Sequence, residues 1–368
     1  DINGNELHPI TSGSFDIAEF IGYDHGSETV YFRSHERSVL QTDVYRIKLS
    51  GKGKRRISEQ AGTNEAKFST GFKYFINEYS NANSPKRITL RNNNGRLIRV
   101  LEDNTEVQQQ MKKHGFSKKE FITVPVNGVE LNAWMIKPPD FNPDEKYPLF
   151  MFVYGGPESQ DVVDEYVSSH AWYQMLAQQG YIVACVDNRG TDGRGEAFKK
   201  ATYMQLGKLE TEDQVASAKY FGSLPYINEE RIGIFGWSYG GFMSLLCMTK
   251  GAEVFKMGIS VAPVTNWRFY DTIYTERFMR TPQENPDGYD DNSPINHAGK
   301  LDGELLIVHG MGDDNVHMQN TIEMVEKLVQ ADKQFEMQLY PNKNHGIYGG
   351  NTTMHLYKRM TEFIYENL

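Results

Sequence analysis

Short runs of alternating apolar and polar residues fill the first third of the chain. Residues 28–33 (ETVYFR), 43–49 (DVYRIKL), 73–79 (KYFINEY) and 86–90 (KRITL) carry the period-two pattern and aromatic, β-branched content of strands. Polar turn clusters at 51–53 (GKG) and 92–95 (NNNG) separate them. Two similar units start at 11–16 (TSGSFD) and 62–69 (GTNEAKFS), spaced as in a propeller whose four-stranded blades recur every ~40–50 residues. Residues 1–112 are therefore expected to form a partial β-propeller of about two blades, too few for a ring that needs ~4–8. Residues 113–368 have a different texture. Residues 121–137 read as a hairpin around Asn127-Gly128, the dipeptide favoured in type I′ turns. Beyond it, near-continuous apolar runs at 147–154, 181–186, 232–235, 257–261, 305–309 and 335–340 predict parallel strands covered on both faces. Helical patterns lie between them. Thr211 and Gln214 read as a capping box ahead of Val215, Ala218 and Phe221. Met318, Ile322, Val325 and Val329 repeat at helical spacing, as do Leu356, Met360, Phe363 and Ile364. Alternating strands and helices predict an α/β fold, a mostly parallel sheet with helices on both faces.

Composition narrows the function. Over 368 residues, 39% are hydrophobic and 24% charged, a globular balance rather than a disordered one. A net charge of −9 lacks the basic stripe of a nucleic-acid binder, so no nucleic-acid partner is expected. The longest apolar runs fall far short of the ~20 residues of a membrane span. The chain opens at Asp1 with neither an initiator Met nor a signal peptide, and this start is read as a processed boundary. Cys185 and Cys247 sit in apolar stretches and are expected to be buried free thiols. Neither H-E-x-x-H nor C-x-x-C occurs, so no metal site is expected. Gly193-Arg194-Gly195 lacks the third glycine of a dinucleotide loop, and 51–56 (GKGKRR) is a charged turn rather than a phosphate cradle. No cofactor is expected.

One segment carries sharp chemistry. Gly236-Trp237-Ser238-Tyr239-Gly240 fits G-x-S-x-G, the nucleophile elbow of α/β-hydrolases. The motif needs small flanking residues because the serine sits on a tight strand-to-helix turn. That turn exposes the serine Oγ and brings the next backbone N–H to a helix start, where it can bind an oxyanion. The context fits, with a strand before Ser238 and helical Phe242, Leu245 and Leu246 after it. A serine nucleophile needs a base, and the base an orienting acid, in the chain order serine, acid, histidine. The run 305–309 leads into Asp313 and Asp314, and 335–340 leads into His345. Spacing alone leaves Asp313 and Asp314 in competition, and an acid there has a plainer role capping the helix near Met318. Of the ten histidines, His309 reads as a packed strand end and His317 as poorly placed to face Ser238; His355 falls in the last helix. A second oxyanion donor is expected from the loop at 153–157 (VYGGP), either a backbone N–H or the Tyr154 hydroxyl.

Taken together, 236–241 (GWSYGG), 154–157 (YGGP), 187–190 (DNRG), 275–278 (TERF) and 313–317 (DDNVH) resemble the prolyl oligopeptidase family of serine peptidases. The resemblance is to its dipeptidyl peptidase IV branch and points to a bacterial member. It extends over nearly the whole chain, the first part resembling the last two blades of that family's propeller and the rest its hydrolase domain. It implies release of N-terminal X-Pro or X-Ala dipeptides from peptides. It assigns the triad to Ser238, Asp313 and His345, preferring Asp313 over Asp314, and the oxyanion hole to Tyr154 and the Tyr239 N–H. Val264, Trp267, Tyr270, Tyr274, Tyr239 and Val316 would wall the proline pocket, with Asn315 donating to the carbonyl of the residue before proline. Members of the family often form homodimers, partly through the last helices, and the likeness favours an exported, periplasmic or cell-envelope protein. The family's grip on the substrate ammonium, a Glu pair on a propeller helix helped by an Arg, belongs to earlier blades. Glu229-Glu230 is not its counterpart and reads as a solvated turn. Within the same fold the rivals are a tripeptidyl or acylaminoacyl peptidase and an esterase. The non-enzymatic rival is an interaction protein with an inert hydrolase domain, against which the intact Ser238, Asp313 and His345 speak.

Overall fold

A computed structural model describes residues 3–4, 8–58 and 60–368. The chain divides into two compact units. The first takes the described residues of Asp1–Lys119 with Val163–Ala171 and Gly193–Glu196; the second takes Glu120–Val162, Trp172–Asp192 and Ala197–Leu368.

In the first unit the alternating runs become two four-stranded antiparallel sheets, each in chain order. One holds β1 (Ile17–Asp24), β2 (Thr29–Ser34), β3 (Asp43–Lys48) and β4 (Arg55–Arg56). The other holds β5 (Thr63–Phe68), β6 (Tyr74–Asn81), β7 (Ser84–Asn92) and β8 (Leu97–Glu102), followed by α1 (Thr105–Lys113). Tyr31, Val44, Ile57, Ala66 and Phe75 form a small buried core shared by the two sheets. The buried carboxylate of Asp43 is satisfied by Ser58 Oγ and Arg37 Nε, both at 2.6 Å, as burial of a charge requires.

The second unit is built on β9 (Lys119–Val126), β10 (Val129–Ile136), β11 (Tyr147–Phe152), β12 (Ile182–Asp187), β13 (Ile227–Trp237), β14 (Met257–Val261), β15 (Glu304–Gly310) and β16 (Glu336–Tyr340). They form one sheet in the order β16-β15-β14-β13-β11-β12-β10-β9. Asn127 and Gly128 both have positive φ (51° and 77°), as a type I′ turn demands between β9 and β10. From β12 across to β16 every pair is parallel. The helices are α2 (Ala171–Gln178), α3 (Glu196–Lys199), α4 (Lys208–Gly222), α5 (Tyr239–Lys250), α6 (Thr272–Met279), α7 (Pro286–Asp290), α8 (Gln319–Gln330) and α9 (Thr352–Asn367). Leu149, Met151, Ile234, Phe242, Leu246 and Ile307 belong to the continuous core of this unit. Because the strands run parallel, the loops after β11, β13, β15 and β16 all leave from one edge of the sheet, where open α/β folds bind ligands.

Two local expectations are corrected. Helix α4 starts at Lys208, behind Gly207 at φ 87°, so Thr211 and Gln214 are inside it and form no capping box. Gly207 is required there, since a Cβ would sit 2.5 Å from Phe242 Cζ. Thr211 turns its hydroxyl back to Gly207 O (2.6 Å), and the Gln214 amide donates to Val186 O and Asn188 Oδ1, both at 2.9 Å. Glu229 and Glu230 are exposed but belong to the first half of β13 rather than to a turn. Both cysteines are buried and neither is in a disulfide. Among the described residues, no helix is long and apolar enough to cross a membrane.

Candidate active site

Ser238 stands alone between the end of β13 and the start of α5, at φ 61° and ψ −116°. A residue with a Cβ reaches that backbone region only against steric resistance, so its surroundings must hold it. They do: the Ser238 N–H donates to Val261 O (2.8 Å), and the Phe242 N–H donates to Ser238 O (3.0 Å). The glycines of the motif are needed for close approach. A Cβ on Gly236 would lie 2.1 Å from Gly240 O, and one on Gly240 would lie 2.1 Å from Val153 O. Trp237 donates its indole N–H to the backbone oxygen of His345 (2.9 Å), tying the elbow to the loop after β16.

Asp313 and His345 meet. His345 Nδ1 lies 2.7 Å from Asp313 Oδ2, the Asp313 side chain being wholly buried and the His345 ring partly open. The other carboxylate oxygen, Oδ1, accepts the backbone N–H groups of Asn315 and Val316, both at 2.9 Å. Asp314, by contrast, is exposed. Burial alone pushes the Asp313 carboxyl up, but hydrogen bonds from His309 and His345, the charge of His345 and the Asn315 N–H outweigh it. The carboxyl is held well below the usual carboxylate range. His309, packed at a strand end as its sequence position suggests, is thus also a partner of Asp313, which the strand pattern did not reveal.

The loop after β11 lies against the elbow. Gly155 has φ 72°, and the Asn188 amide donates to its carbonyl (2.9 Å). A Cβ on Gly156 would lie 2.9 Å from Tyr239 Cγ and 3.0 Å from Tyr154 Cε1, so only glycine lets this loop sit against both rings. Burial raises the Tyr154 hydroxyl above its ordinary value, which keeps it protonated and a donor.

The aromatic residues singled out by resemblance form one cluster. Trp267 stacks on Tyr274 (centroids 5.8 Å) and stands edge-on to Tyr270 (5.8 Å), while Tyr239 lies 5.4 Å from Trp267 and 6.0 Å from Tyr154. Val264 and Val316 are buried in the same core. The Tyr270 hydroxyl donates to Asn315 Oδ1 (2.8 Å), which leaves the Asn315 amide hydrogens free to turn toward a ligand carbonyl. Other motif residues act as braces. Asp187 accepts the N–H groups of Asp161 and Val162, both at 3.0 Å, and Arg189 pairs in bidentate fashion with the buried Asp213 (2.7 and 2.9 Å).

Glu210 is a buried acid that no motif reveals. Its Oε1 accepts the Tyr239 hydroxyl (2.8 Å), so it fixes the ring of the residue that follows Ser238. Burial pushes its carboxyl from 4.5 up to about 7, against the opposing backbone N–H groups of Gly207 and Glu210 and the Tyr239 hydroxyl. A raised acid favours folding while protonated, and that contribution is lost as pH rises from about 4.5 through about 7. Glu210→Gln keeps an acceptor for Tyr239 and removes the titration. Urea midpoints at pH 5 and pH 8 are expected to show the variant gaining about 2–3 kcal/mol on the parent at the higher pH. Parallel behaviour of the two proteins at both pH values would contradict the buried charge.

The parallel sheet and the strained serine elbow define an α/β-hydrolase. Residues 167–368 match the model of the prolyl oligopeptidase family, and residues 1–86 match the dipeptidyl peptidase IV (DPP IV) N-terminal region. The chain belongs to the prolyl oligopeptidase family. It is 37% identical over 364 residues to a protein of Botryotinia fuckeliana described as "Probable dipeptidyl-aminopeptidase B", covering 96% of this chain and 39% of that protein. A protein of the same description from Phaeosphaeria nodorum is 36% identical over 360 residues, with 96% and 39% covered. The crystal structure of Porphyromonas gingivalis dipeptidyl peptidase 4 superposes with a TM-score of 0.97 at 48% identity, covering 100% of this chain and 52% of that one. The chain thus spans about two fifths of the length of these curated relatives. The expectation of a bacterial member is not borne out by them, since both are fungal.

Proposed function

We propose that this chain carries the hydrolytic centre of a serine exopeptidase that releases N-terminal X-Pro or X-Ala dipeptides through an acyl-enzyme. Ser238 is the nucleophile, His345 the base, and Asp313 the acid that orients it. The observation that carries the reading is the 2.7 Å bond from His345 Nδ1 to a buried Asp313, on a loop bonded through Trp237 to a strained Ser238. With Nδ1–H committed to Asp313, Nε2 is the ring atom left to take the serine proton. As Ser238 Oγ attacks the carbonyl after proline, negative charge grows on the carbonyl oxygen. The Tyr154 hydroxyl and the Tyr239 N–H receive it; Tyr239 opens α5, where backbone N–H groups have no intrahelical acceptor. The proton passes from His345 to the leaving amine, and water then repeats the sequence to free the dipeptide. Val264, Trp267, Tyr270, Tyr274, Tyr239 and Val316 offer the flat apolar walls that a pyrrolidine ring needs. Asn315 donates to the carbonyl of the preceding residue. A homodimer joined partly through the last helices belongs to the same proposal. Met354 and Tyr365, exposed on α9, are candidates for that contact.

The test ranks kcat/KM of the whole protein, rather than of this chain alone, for Gly-Pro-, Ala-Ala-Pro- and acetyl-Gly-Pro- chromogenic substrates, with fluorophosphonate labelling of Ser238 as the check on the chemistry. Preference for the free Gly-Pro substrate is expected. Labelling of Ser238 together with a preference for the capped substrate would keep the hydrolase and overturn the dipeptidyl reading.

A further inference from the structure

His309 lies at the end of β15 and is fully buried. Its Nε2 is 2.8 Å from Val316 O and 3.2 Å from Asp313 Oδ2, and its Nδ1 is 2.7 Å from Thr321 Oγ1 on α8. A carbonyl and a carboxylate only accept, so Nε2 carries the hydrogen and shares it between them. In the neutral ring Nδ1 then accepts from the Thr321 hydroxyl. Every polar atom of this buried ring is used, as expected of a built arrangement rather than of packing alone.

The consequence for Asp313 is specific. Its Oδ2 receives two imidazole N–H groups, from His345 and His309, while Oδ1 receives two backbone N–H groups. Four donors match the number of lone-pair sites on a carboxylate. The carboxylate cannot turn without losing a charge-assisted bond. His309 also binds the carbonyl of Val316, so the one N–H holds both ends of the tight loop from Asp313 to Val316. The other acidic and basic groups of these elements are Glu304 at the start of β15, Asp314 and His317 on the same connection, Glu323, Glu326 and Lys327 on α8, and Lys343 on the loop that carries His345.

We propose that His309 is a positioning residue for the Asp313–His345 pair. By donating to the oxygen that His345 uses, it draws off part of the carboxylate charge and so weakens the hold of Asp313 on the imidazolium. It also sets the direction in which Asp313 presents that oxygen. This inference rests on the triad reading above.

The test uses three variants of the chain. His309→Leu removes the donor. His309→Gln carries an amide N–H at the position of Nε2. His309→Asn is polar but too short to reach, and serves if the leucine variant does not fold. The first readout is the low-field resonance of the proton on His345 Nδ1 at acid pH, assigned by its loss in His345→Gln. The second is the acid limb of the rate of Ser238 labelling by a fluorophosphonate. Loss of the donor is expected to move the resonance further downfield and the acid limb up by roughly one pH unit, with a labelling rate about tenfold lower. The glutamine variant is expected to return both toward the parent. An unmoved resonance in a folded leucine or asparagine variant, or a glutamine variant that behaves like leucine, overturns the proposal. Failure of the triad reading looks different: the parent chain would show the resonance but take up no label on Ser238.

Discussion

Replacing Ser238 with alanine is expected to lower kcat by about 10⁶ while leaving the fold intact, as loss of the nucleophile does in serine proteases generally. The residual rate would come from the oxyanion hole and substrate binding alone, worth about 10³–10⁴ over water. The structural cost is small because the hydroxyl is the only group lost, and the backbone bonds to Val261 O and from the Phe242 N–H persist. Alanine faces the same resistance at φ 61° as serine does. The variant should therefore unfold at the parent's urea concentration and carry no fluorophosphonate adduct, while the parent carries one, at Ser238, by peptide mass mapping. A variant that turns over substrate at the parent's rate would remove Ser238 from the mechanism.

Asp313→Asn is expected to cost about 10⁴ in kcat, close to the effect of the same exchange in other triads. The reason lies in the donors that surround this side chain. Both carboxylate oxygens accept, Oδ1 from two backbone N–H groups and Oδ2 from His309 and His345. An asparagine must turn its NH₂ toward one of these pairs, where two donors face each other. If it meets His345, the ring shifts its hydrogen to Nε2, the atom needed as base, and the serine proton has no acceptor. If it meets the backbone pair, the 313–316 loop opens. Asp314→Asn, at an exposed position, is expected to stay within a few-fold of the parent. Steady-state rates for the two single variants decide between them; a larger loss at Asp314 would reassign the acid.

Some of the site is legible along the chain because its constraints are local. The elbow is one case. Glycines at 236 and 240 answer to contacts of 2.1 Å with backbone atoms, and no other residue fits. The hairpin is another, since positive φ at both Asn127 and Gly128 is a property of two adjacent residues. Periodicity located the strands of the parallel sheet because strands covered on both faces must be apolar throughout. It failed at Thr211, whose spacing to Gln214 imitates a helix start. There the backbone had already turned at Gly207, forced by packing against Phe242. It also failed at Glu229 and Glu230, where the exposed beginning of β13 has a turn's composition.

The sequence alone determined the fold class, and it picked out the candidate nucleophile and the proposed order of serine, acid and histidine, because each rests on steric demands within a few residues or on the regular alternation of strand and helix. Only the tertiary structure decided which groups meet. It brought His345 from one loop onto Asp313 of another and set His309 and Thr321 behind them. It also buried Glu210 against the ring of Tyr239 and gathered Trp267, Tyr270 and Tyr274 into one wall. Those meetings depend on the register and parallel direction of β13, β15 and β16, which bring distant loops to a common edge, and spacing along a chain does not contain that information.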